Sequence, residues 1–159
     1  MSDTAPTHPT VRLAELGLEL PPVAAPAAAY QPHARAGQLA FTAGQLPVVD
    51  GRLVRTGKLG TDLATDEGVE LARTAGLNVL AAAAAAAGGL ERVRVVKVTV
   101  FVASAPDFTE QHLVANGASQ LIGDVLGDHG VHARSAVGVA TLPMDAPVEV
   151  EAIIEVLGA

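Results

Sequence analysis

The chain has 159 residues, half of them hydrophobic, which suits one domain of ordinary size with a substantial core. Its 10 Lys and Arg are outnumbered by 17 Asp and Glu, and aromatic residues make up only 3% of the chain. A net charge of −7 with few aromatic rings argues against nucleic-acid binding, because phosphate backbones attract cationic surfaces and bases stack on aromatic side chains. The absence of cysteine excludes disulfides and thiolate chemistry and is compatible with a reducing cytoplasm.

The first 30 residues are rich in Pro and Ala. They are predicted to form an irregular N-terminal arm, followed by a single domain over residues 31–159. No basic segment precedes an apolar one here, so the N-terminus does not resemble a secretory signal. No unbroken apolar stretch reaches the ~18 residues of a membrane helix, because the alanine run 81–87 ends at Gly88–Gly89. We therefore expect a cytoplasmic protein without a membrane partner.

The chain then alternates strand-like and helix-like segments. Apolar runs on either side of Asp50–Gly51, a dipeptide typical of hairpin turns, predict two strands. Residues 61–87 have an Ala-rich helical pattern that begins with acidic residues and stops at two glycines. The β-branched run 93–104 predicts a strand, with one face formed by Val96, Val98, Val100 and Val102.

The C-terminal third predicts one more helix and two more strands. Residues 106–127 are typical of a helix that is broken near Asn116–Gly117. Two strand-like runs follow, at 134–141 and 147–156, and we predict that they pair as a hairpin through residues 142–146. The resulting order, β-β-α-β-α-β-β, predicts an α+β fold with two helices packed on one face of a mixed sheet.

The sheet face turned away from the helices is predicted to contact another subunit. One parity of the last strand is wholly apolar and is expected to meet the helices, whereas the other parity consists of Glu149, Glu151, Ile153 and Glu155. A face that also carries Lys97, Thr99 and Phe101 is too polar for a sealed core and too apolar to be fully hydrated. Packing against a second chain would resolve this conflict.

Arg134 and Glu149 interrupt the buried stripes of the last two strands. If these strands pair about Met144–Asp145, the two charges lie roughly 20 Å apart along the sheet, so they can meet at one small ligand only across a subunit boundary. An arginine beside small residues has room to hold a carboxylate through two parallel hydrogen bonds. Local spacing alone, however, favours a structural salt bridge or a solvated strand end.

Five stretches, FTAGQLPV, VVKVTVFV, DF, HARSAV and LPMDAPVEVEAI, span most of the chain from Tyr30 onward. In their order and spacing the chain resembles the YjgF/RidA (Rid) family of reactive-imine deaminases. The resemblance implies a chorismate-mutase-like fold, assembled as a homotrimer with a ligand cleft between neighbouring subunits. It also implies hydrolysis of 2-aminoacrylate or 2-iminobutyrate to a 2-keto acid and ammonia, with no metal or organic cofactor.

The resemblance assigns roles to individual residues. The family's carboxylate-binding arginine corresponds to Arg134, and its water-positioning glutamate corresponds to Glu149, which would orient or deprotonate water near the imine carbon. Burial is expected to raise the pKa of Glu149 and a nearby Arg134 to lower it. The candidate substrate-binding residues are Tyr30, Ala43, Gly44, Asn116, Ser135 and Ala136.

Two positions depart from the family pattern. Ala43 stands where family members have a serine in the cleft, and Ala136 stands where they commonly have a cysteine after the arginine motif. Thr42 has a hydroxyl group, but adjacent strand residues face opposite ways. Loss of one hydrogen bond is expected to weaken substrate placement. A non-catalytic protein that binds small ligands on the same trimeric scaffold is therefore the alternative function.

Other motifs give weaker signals. His129 and His132 resemble a metal-binding pair, but no third ligand has suitable spacing, and a role in a loop is preferred. Residues 51–59 lack the glycine spacing of a phosphate-binding loop, and Ser119 lacks the following glycine of a nucleophile elbow. Asn116–Gly117 favours a local helix break over a position beside the cleft. The net charge and the scarcity of aromatic residues argue against ribonuclease activity.

Overall fold

Seven β-strands and four α-helices lie within residues 8–23, 25 and 29–158, the part of the chain that the computed structural model describes. In chain order they are α1 (Pro9–Glu15), β1 (His33–Ala36), β2 (Leu39–Thr42), β3 (Val48–Val49), β4 (Arg52–Leu53), α2 (Thr65–Ala87), β5 (Val93–Ala103), α3 (Gln111–Val114), α4 (Asn116–Leu126), β6 (Ala133–Val139) and β7 (Val148–Val156). Short 3-10 turns lie at Leu90–Arg92, Gly127–Gly130 and Pro143–Asp145.

Five strands form one mixed sheet in the order β1-β2-β7-β5-β6, in which β5 and β6 are parallel and the other neighbours are antiparallel. Helix α2 packs on β7 and on α4, so the helices form a layer on one face of the sheet. The predicted α+β class is therefore confirmed.

The predicted hairpin at Asp50–Gly51 is present, but it lies outside the main sheet. Strands β3 and β4 form a separate two-stranded sheet, and Asp50 and Gly51 have φ angles of 50° and 77°, as a tight hairpin turn requires. The hairpin at the edge of the main sheet is β1–β2, which was missed. Strand β1 has the sequence HARA and three of its four residues are exposed, so it has no apolar alternation to reveal it.

Strands β6 and β7 do not pair with each other, so the predicted C-terminal hairpin is wrong. Strand β5 lies between them, parallel to β6 and antiparallel to β7. Met144 and Asp145, the predicted pivot, have φ angles of 60° and 58° and belong to the connection that leads from β6 to β7. Because β5 lies between β7 and β6, β6 becomes an edge of the sheet.

The core lies between the sheet and the helices. The apolar stripe of β7 is buried as predicted, with each of its five members at most 3% exposed. In β5 the register shifts between Val95 and Lys97, which turns Val95 and Val98 into the core and leaves Val96 42% exposed. The prediction that Val96 shares the buried face is wrong, because a β-bulge resets the alternation of the strand.

Helix α2 begins at Thr65, four residues after the predicted start at position 61, and ends at Ala87 as predicted. The carboxylate of Glu67 accepts a hydrogen bond from the backbone N–H of Ala64 at 2.9 Å, and Gly88 ends the helix with a φ of 81°. This helix is long and apolar enough to cross a membrane, with a mean hydropathy of 1.2. Since 61% of its apolar window is buried inside the fold, its small side chains serve the core.

Helix α1 lies in the segment that was predicted to be irregular. Pro9 stands at the start of the helix, where a missing N–H has no intrahelical partner to lose. Leu13 is 5% exposed and belongs to the core, and α1 packs against α4. The prediction is therefore wrong for residues 9–15, while residues 1–7, 24 and 26–28 lie outside the described part of the chain.

Gly117 lets α2 and α4 approach each other closely. A Cβ at this position would lie 1.9 Å from the backbone oxygen of Val69, so the backbone would have to move to admit it. We expect Gly117→Ala to lower the free energy of unfolding by about 3 kcal/mol, the upper part of the usual range for overpacking. Thermal unfolding measures this, with Gly123→Ala on the same helix as the control, since a Cβ there meets nothing within 4 Å. Equal melting temperatures for the two variants would contradict the close approach.

Candidate functional site

Glu149 projects from β7 onto the sheet face opposite the helices, level with Phe101 of β5. Its side chain is half-buried, and this burial raises the pKa of its carboxyl group above the ordinary value. The carboxylate of Glu151, on the same face two residues along, raises the pKa further. The opposing effect expected from Arg134 is absent within a single chain, so the carboxyl group holds its proton more tightly than a solvated glutamate.

Gly44 lies directly over Glu149. A Cβ at Gly44 would lie 1.8 Å from Oε1 of Glu149 and 2.7 Å from its Cδ. Any other residue would therefore displace the carboxylate. Glycine at this position leaves the space in which the acid group of Glu149 lies.

A β-bulge brings Gly44 to this place. The pairs Phe41–Ile153 and Gln45–Val150 are separated by four residues on one strand (45 − 41) and by three on the other (153 − 150). The backbone of Gln45 rejoins β7 through hydrogen bonds of 2.7 and 2.9 Å to Val150. The extra residue bends the chain between β2 and Gln45 and carries Gly44 over the sheet.

Thr42 and Ala43 lie within this bulge and supply no free hydroxyl group. Thr42 is 7% exposed, and its hydroxyl oxygen accepts a hydrogen bond of 3.0 Å from the backbone N–H of Ala152. The expectation that Thr42 is a poor substitute for the family serine agrees with this geometry. Ala43 donates its backbone N–H to the carbonyl oxygen of Pro32 at 2.8 Å, which ties the bulge to the segment before β1.

A cavity of about 310 Å³ opens beside Gly44. Tyr30 and Pro32 line it from the segment before β1, Gly44 and Leu46 line it from the loop after β2, and Met144 lines it from the connection before β7. Tyr30 and Gly44, two of the predicted site residues, therefore share one cavity. Its walls are largely apolar, and one of its lining residues, Gly44, lies against the carboxylate of Glu149.

Arg134 lies on β6 and reaches the helix face of the sheet, where α3 and α4 begin. Its Nη1 donates to Oδ1 of Asn116 at 3.0 Å and to Oγ of Ser119 at 3.1 Å, and its Nη2 donates to the carbonyl oxygen of His112 at 3.0 Å. A guanidinium has five N–H groups, so two remain, one on Nε and one on Nη2. Within the described part of the chain neither has an acceptor.

The neighbours of Arg134 divide between the two faces of the sheet. Ala136 shares the face of Arg134 and packs, partly buried, against the core. Ser135 has the opposite parity and lies level with Thr99 on the other face. The structure therefore brings Arg134, Asn116 and Ala136 together and separates Ser135 from them.

Ser119 and His132 belong to the surroundings of Arg134 and were missed. His132 was compared with His129 as a metal ligand, but its Nε2 lies 3.0 Å from Oγ of Ser119 and its Nδ1 lies 2.6 Å from the carbonyl oxygen of Gly130. No group of three or more His, Cys, Asp and Glu that could hold a metal occurs among the described residues. The sequence contains a signal for both residues. Ser119 lies three residues after Asn116 on a helix, and His132 lies two residues before Arg134, so each is expected on the same face as a predicted site residue.

Arg134 and Glu149 do not meet within one chain. Arg134 is level with Val98 of β5 and with Ala152 of β7, three residues from Glu149, and it projects to the opposite face. Two strand spacings and three residue rises place the two Cα atoms about 14 Å apart. The predicted distance depended on the wrong hairpin, but one small molecule still cannot bridge both groups of a single chain.

Comparison with known proteins agrees with this architecture. Residues 10–156 match the family described as "YjgF/chorismate mutase-like, putative endoribonuclease". The chain is 48% identical over 157 residues to Protein TCP17 of Trypanosoma cruzi, covering 98% of each. It is 47% identical to the crystal structure of Atu1372 from Agrobacterium tumefaciens, a protein of unknown function, with a TM-score of 0.86 and coverage of 93% and 92%. It is 27% identical to Escherichia coli TdcF with bound serine, with a TM-score of 0.60 and coverage of 86% and 93%. The chain therefore belongs to the YjgF family and has its chorismate-mutase-like fold.

Proposed function

We propose that the protein is a cytoplasmic imine deaminase, which hydrolyses 2-aminoacrylate or 2-iminobutyrate to a 2-keto acid and ammonia. The observation that carries the proposal is the guanidinium of Arg134. Three of its N–H groups are held by the protein, and the two that remain, on Nε and Nη2, match the two oxygens of a carboxylate. TdcF, whose structure resembles this chain, was crystallised with serine, which also carries a carboxylate.

The complete site is proposed to lie between two copies of the chain in a homotrimer. Glu149 and Arg134 are on opposite faces of one sheet, so they can surround one small ligand only if they come from different chains. Edge strand β6 has an open side, and the face around Glu149 exposes Leu39 by 38% and Phe41 by 40%. Both surfaces would be covered if the edge of one chain packed on the open face of its neighbour.

In this site the carboxylate of the substrate binds Arg134, and its imine carbon lies beside the Glu149 of the neighbouring chain. The substrate reacts as its protonated imine tautomer: Glu149 accepts a proton from water as the oxygen adds to the C=N carbon, which gives a carbinolamine with one OH and one NH₂ group on that carbon. Glu149 then returns this proton to the nitrogen, the C–N bond breaks to release ammonia, and the hydroxyl hydrogen passes to Glu149 as the C=O bond of the keto acid forms. The largely apolar cavity beside Gly44 would accept the short side chain and limit access of other water molecules.

Ala43 supports a second candidate function, binding of small carboxylates without turnover on the same scaffold. No hydroxyl group from this segment faces the cavity, because Thr42 uses its own within the sheet. The proposed enzyme therefore has one hydrogen bond fewer than the family pattern for placing the substrate. The absence of a basic surface run and the net charge of −7 argue against the ribonuclease activity suggested by the family description.

Substitution of Arg134 distinguishes these functions. With 2-aminoacrylate or 2-iminobutyrate generated in situ by a dehydratase, keto-acid release should exceed the protein-free rate in wild type. Arg134→Lys is expected to lower kcat/KM by about 10- to 100-fold, because an ammonium cannot form the two-pronged contact and leaves acceptors unfilled. Arg55→Ala, which removes only an exposed ion pair with Glu67, is the control.

If wild type and Arg134→Ala both match the protein-free rate, the enzymatic proposal fails. Measured binding of a small carboxylate would then support the second function. A binding protein should still be stabilised against thermal unfolding by 2-ketobutyrate, and Arg134→Ala should abolish that stabilisation.

A further inference from the structure

A chain of hydrogen bonds behind Arg134 connects it to a histidine that has no place in the chemistry described above. Nη1 of Arg134 contacts Oγ of Ser119 at 3.1 Å, Oγ contacts Nε2 of His132 at 3.0 Å, and Nδ1 of His132 contacts the carbonyl oxygen of Gly130 at 2.6 Å. The members come from helix α4, strand β6, the residue just before it and the 3-10 turn between them. All three side chains are partly buried.

The two end groups of this chain have fixed roles, because one can only accept a hydrogen bond and the other can only donate. The carbonyl oxygen of Gly130 can only accept, so Nδ1 of His132 carries the hydrogen. In the neutral imidazole Nε2 is then the acceptor, and the hydroxyl of Ser119 donates to it. With its hydrogen committed, Oγ of Ser119 presents lone pairs to Nη1 of Arg134, which can only donate.

The carbonyl end of the chain is fixed by close packing. A Cβ at Gly130 would lie 2.6 Å from the backbone oxygen of Ile122, so the turn lies directly against α4. Gly130 is buried, and its carbonyl oxygen is therefore held in place relative to Ser119 on the same helix. His132 spans the space between these two points and has its tautomer and ring orientation set by both.

We propose that His132 and Ser119 are positioning residues that fix the plane of the Arg134 guanidinium, so that its Nε and Nη2 edge faces the ligand carboxylate. Asn116 and the carbonyl oxygen of His112 hold two other N–H groups, but Ser119 is the acceptor backed by a second oriented group. Without it, Nη1 keeps one partner and the fork can turn about the side-chain torsions. This inference rests on the proposed function only for the chemistry of the ligand.

The test measures binding and turnover separately. Ser119→Ala is expected to raise KM for 2-iminobutyrate, and Kd for 2-ketobutyrate measured by calorimetry, by about tenfold, the effect of one hydrogen bond to a charged group. The kcat should change less than about twofold, because the reacting carbon and Glu149 are not affected. His132→Phe, which keeps a ring but removes both nitrogens, should act in the same direction. Ser119→Thr, which keeps the hydroxyl, should have KM and Kd values near those of wild type.

His129→Ala is the matched control, since His129 is an exposed histidine of the same turn that takes no part in these bonds. Melting temperatures within a few degrees of wild type show that the variants are folded. Ser119→Ala with wild-type KM and Kd, or with a lowered kcat at unchanged KM, would overturn the positioning role while leaving the proposed function intact. If Arg134→Ala itself binds 2-ketobutyrate as wild type does, both proposals fail together.

Discussion

Replacement of Glu149 by glutamine is expected to lower kcat/KM for 2-iminobutyrate by about 10²–10⁴-fold, the usual contribution of a general base. Glutamine retains the size of the side chain beside Gly44 but cannot take a proton from water. Keto-acid release at neutral pH measures the effect. Activity within twofold of wild type would show that Glu149 is not the base.

The pH dependence of kcat/KM tests the same residue independently. A base acts only when deprotonated, and burial, followed by repulsion from Glu151, raises the pKa of Glu149. Activity should therefore fall on the acid side at a higher pH than an ordinary glutamate would give. Glu151→Gln removes the second cause and is expected to move this acid limb to lower pH. The comparison holds even if an arginine from a neighbouring chain lowers the pKa, because that effect is common to both proteins.

The stability of Glu149→Gln separates lost chemistry from lost structure. Because the fold raises the pKa of Glu149, the folded state binds its proton more tightly than the unfolded chain does. This contribution to stability is fully present below the unfolded pKa and is lost as the pH rises through the folded pKa. At neutral pH the carboxylate thus opposes folding, and the glutamine variant should unfold at a temperature equal to or above that of wild type. A clearly lower melting temperature would mean that the carboxylate has a structural role.

The features of the fold that the sequence predicts well are those determined locally. The stripe of β7 is visible as strict alternation, and the end of α2 is visible as two glycines after an Ala-rich helix. The features that were wrong depend on the choice of partner. Strands β6 and β7 are adjacent in sequence, yet both pair with β5, an 11-residue strand that lies between them. No local sequence pattern shows which strands pair with each other.

The candidate site shows the same division. Arg134 and Glu149 were identified through motifs, but the residues that hold them in place come from distant segments. The bulge that carries Gly44 over Glu149 forms where the end of β2 pairs with β7. These two segments are more than 100 positions apart in the sequence, as the hydrogen bond between Thr42 and Ala152 shows. Likewise Ser119 lies 15 residues from Arg134, on a helix rather than on the same strand. Periodicity can show that Ser119 shares a helix face with Asn116, but the contact of that face with Arg134 follows from tertiary packing, which single-sequence periodicity does not encode.

Gly44→Ala is expected to reduce kcat/KM at least 100-fold with little change in the melting temperature. The new Cβ would overlap the Glu149 carboxylate at 1.8 Å, so the acid group must leave its place. The end of a flexible side chain has to move, since the three atoms nearest to the new Cβ all belong to the Glu149 side chain. The damage should therefore fall on catalysis and spare the backbone.

A double-mutant cycle decides whether Gly44 acts through Glu149. If alanine at position 44 only displaces the carboxylate, Gly44→Ala combined with Glu149→Gln should be no less active than Glu149→Gln alone, because both changes remove the same base. Additive losses would instead mean that Gly44 contributes through its own backbone, for example by contacting the substrate. The bulge would then be part of the binding surface, and the space above Glu149 would not be the reason for a glycine at this position.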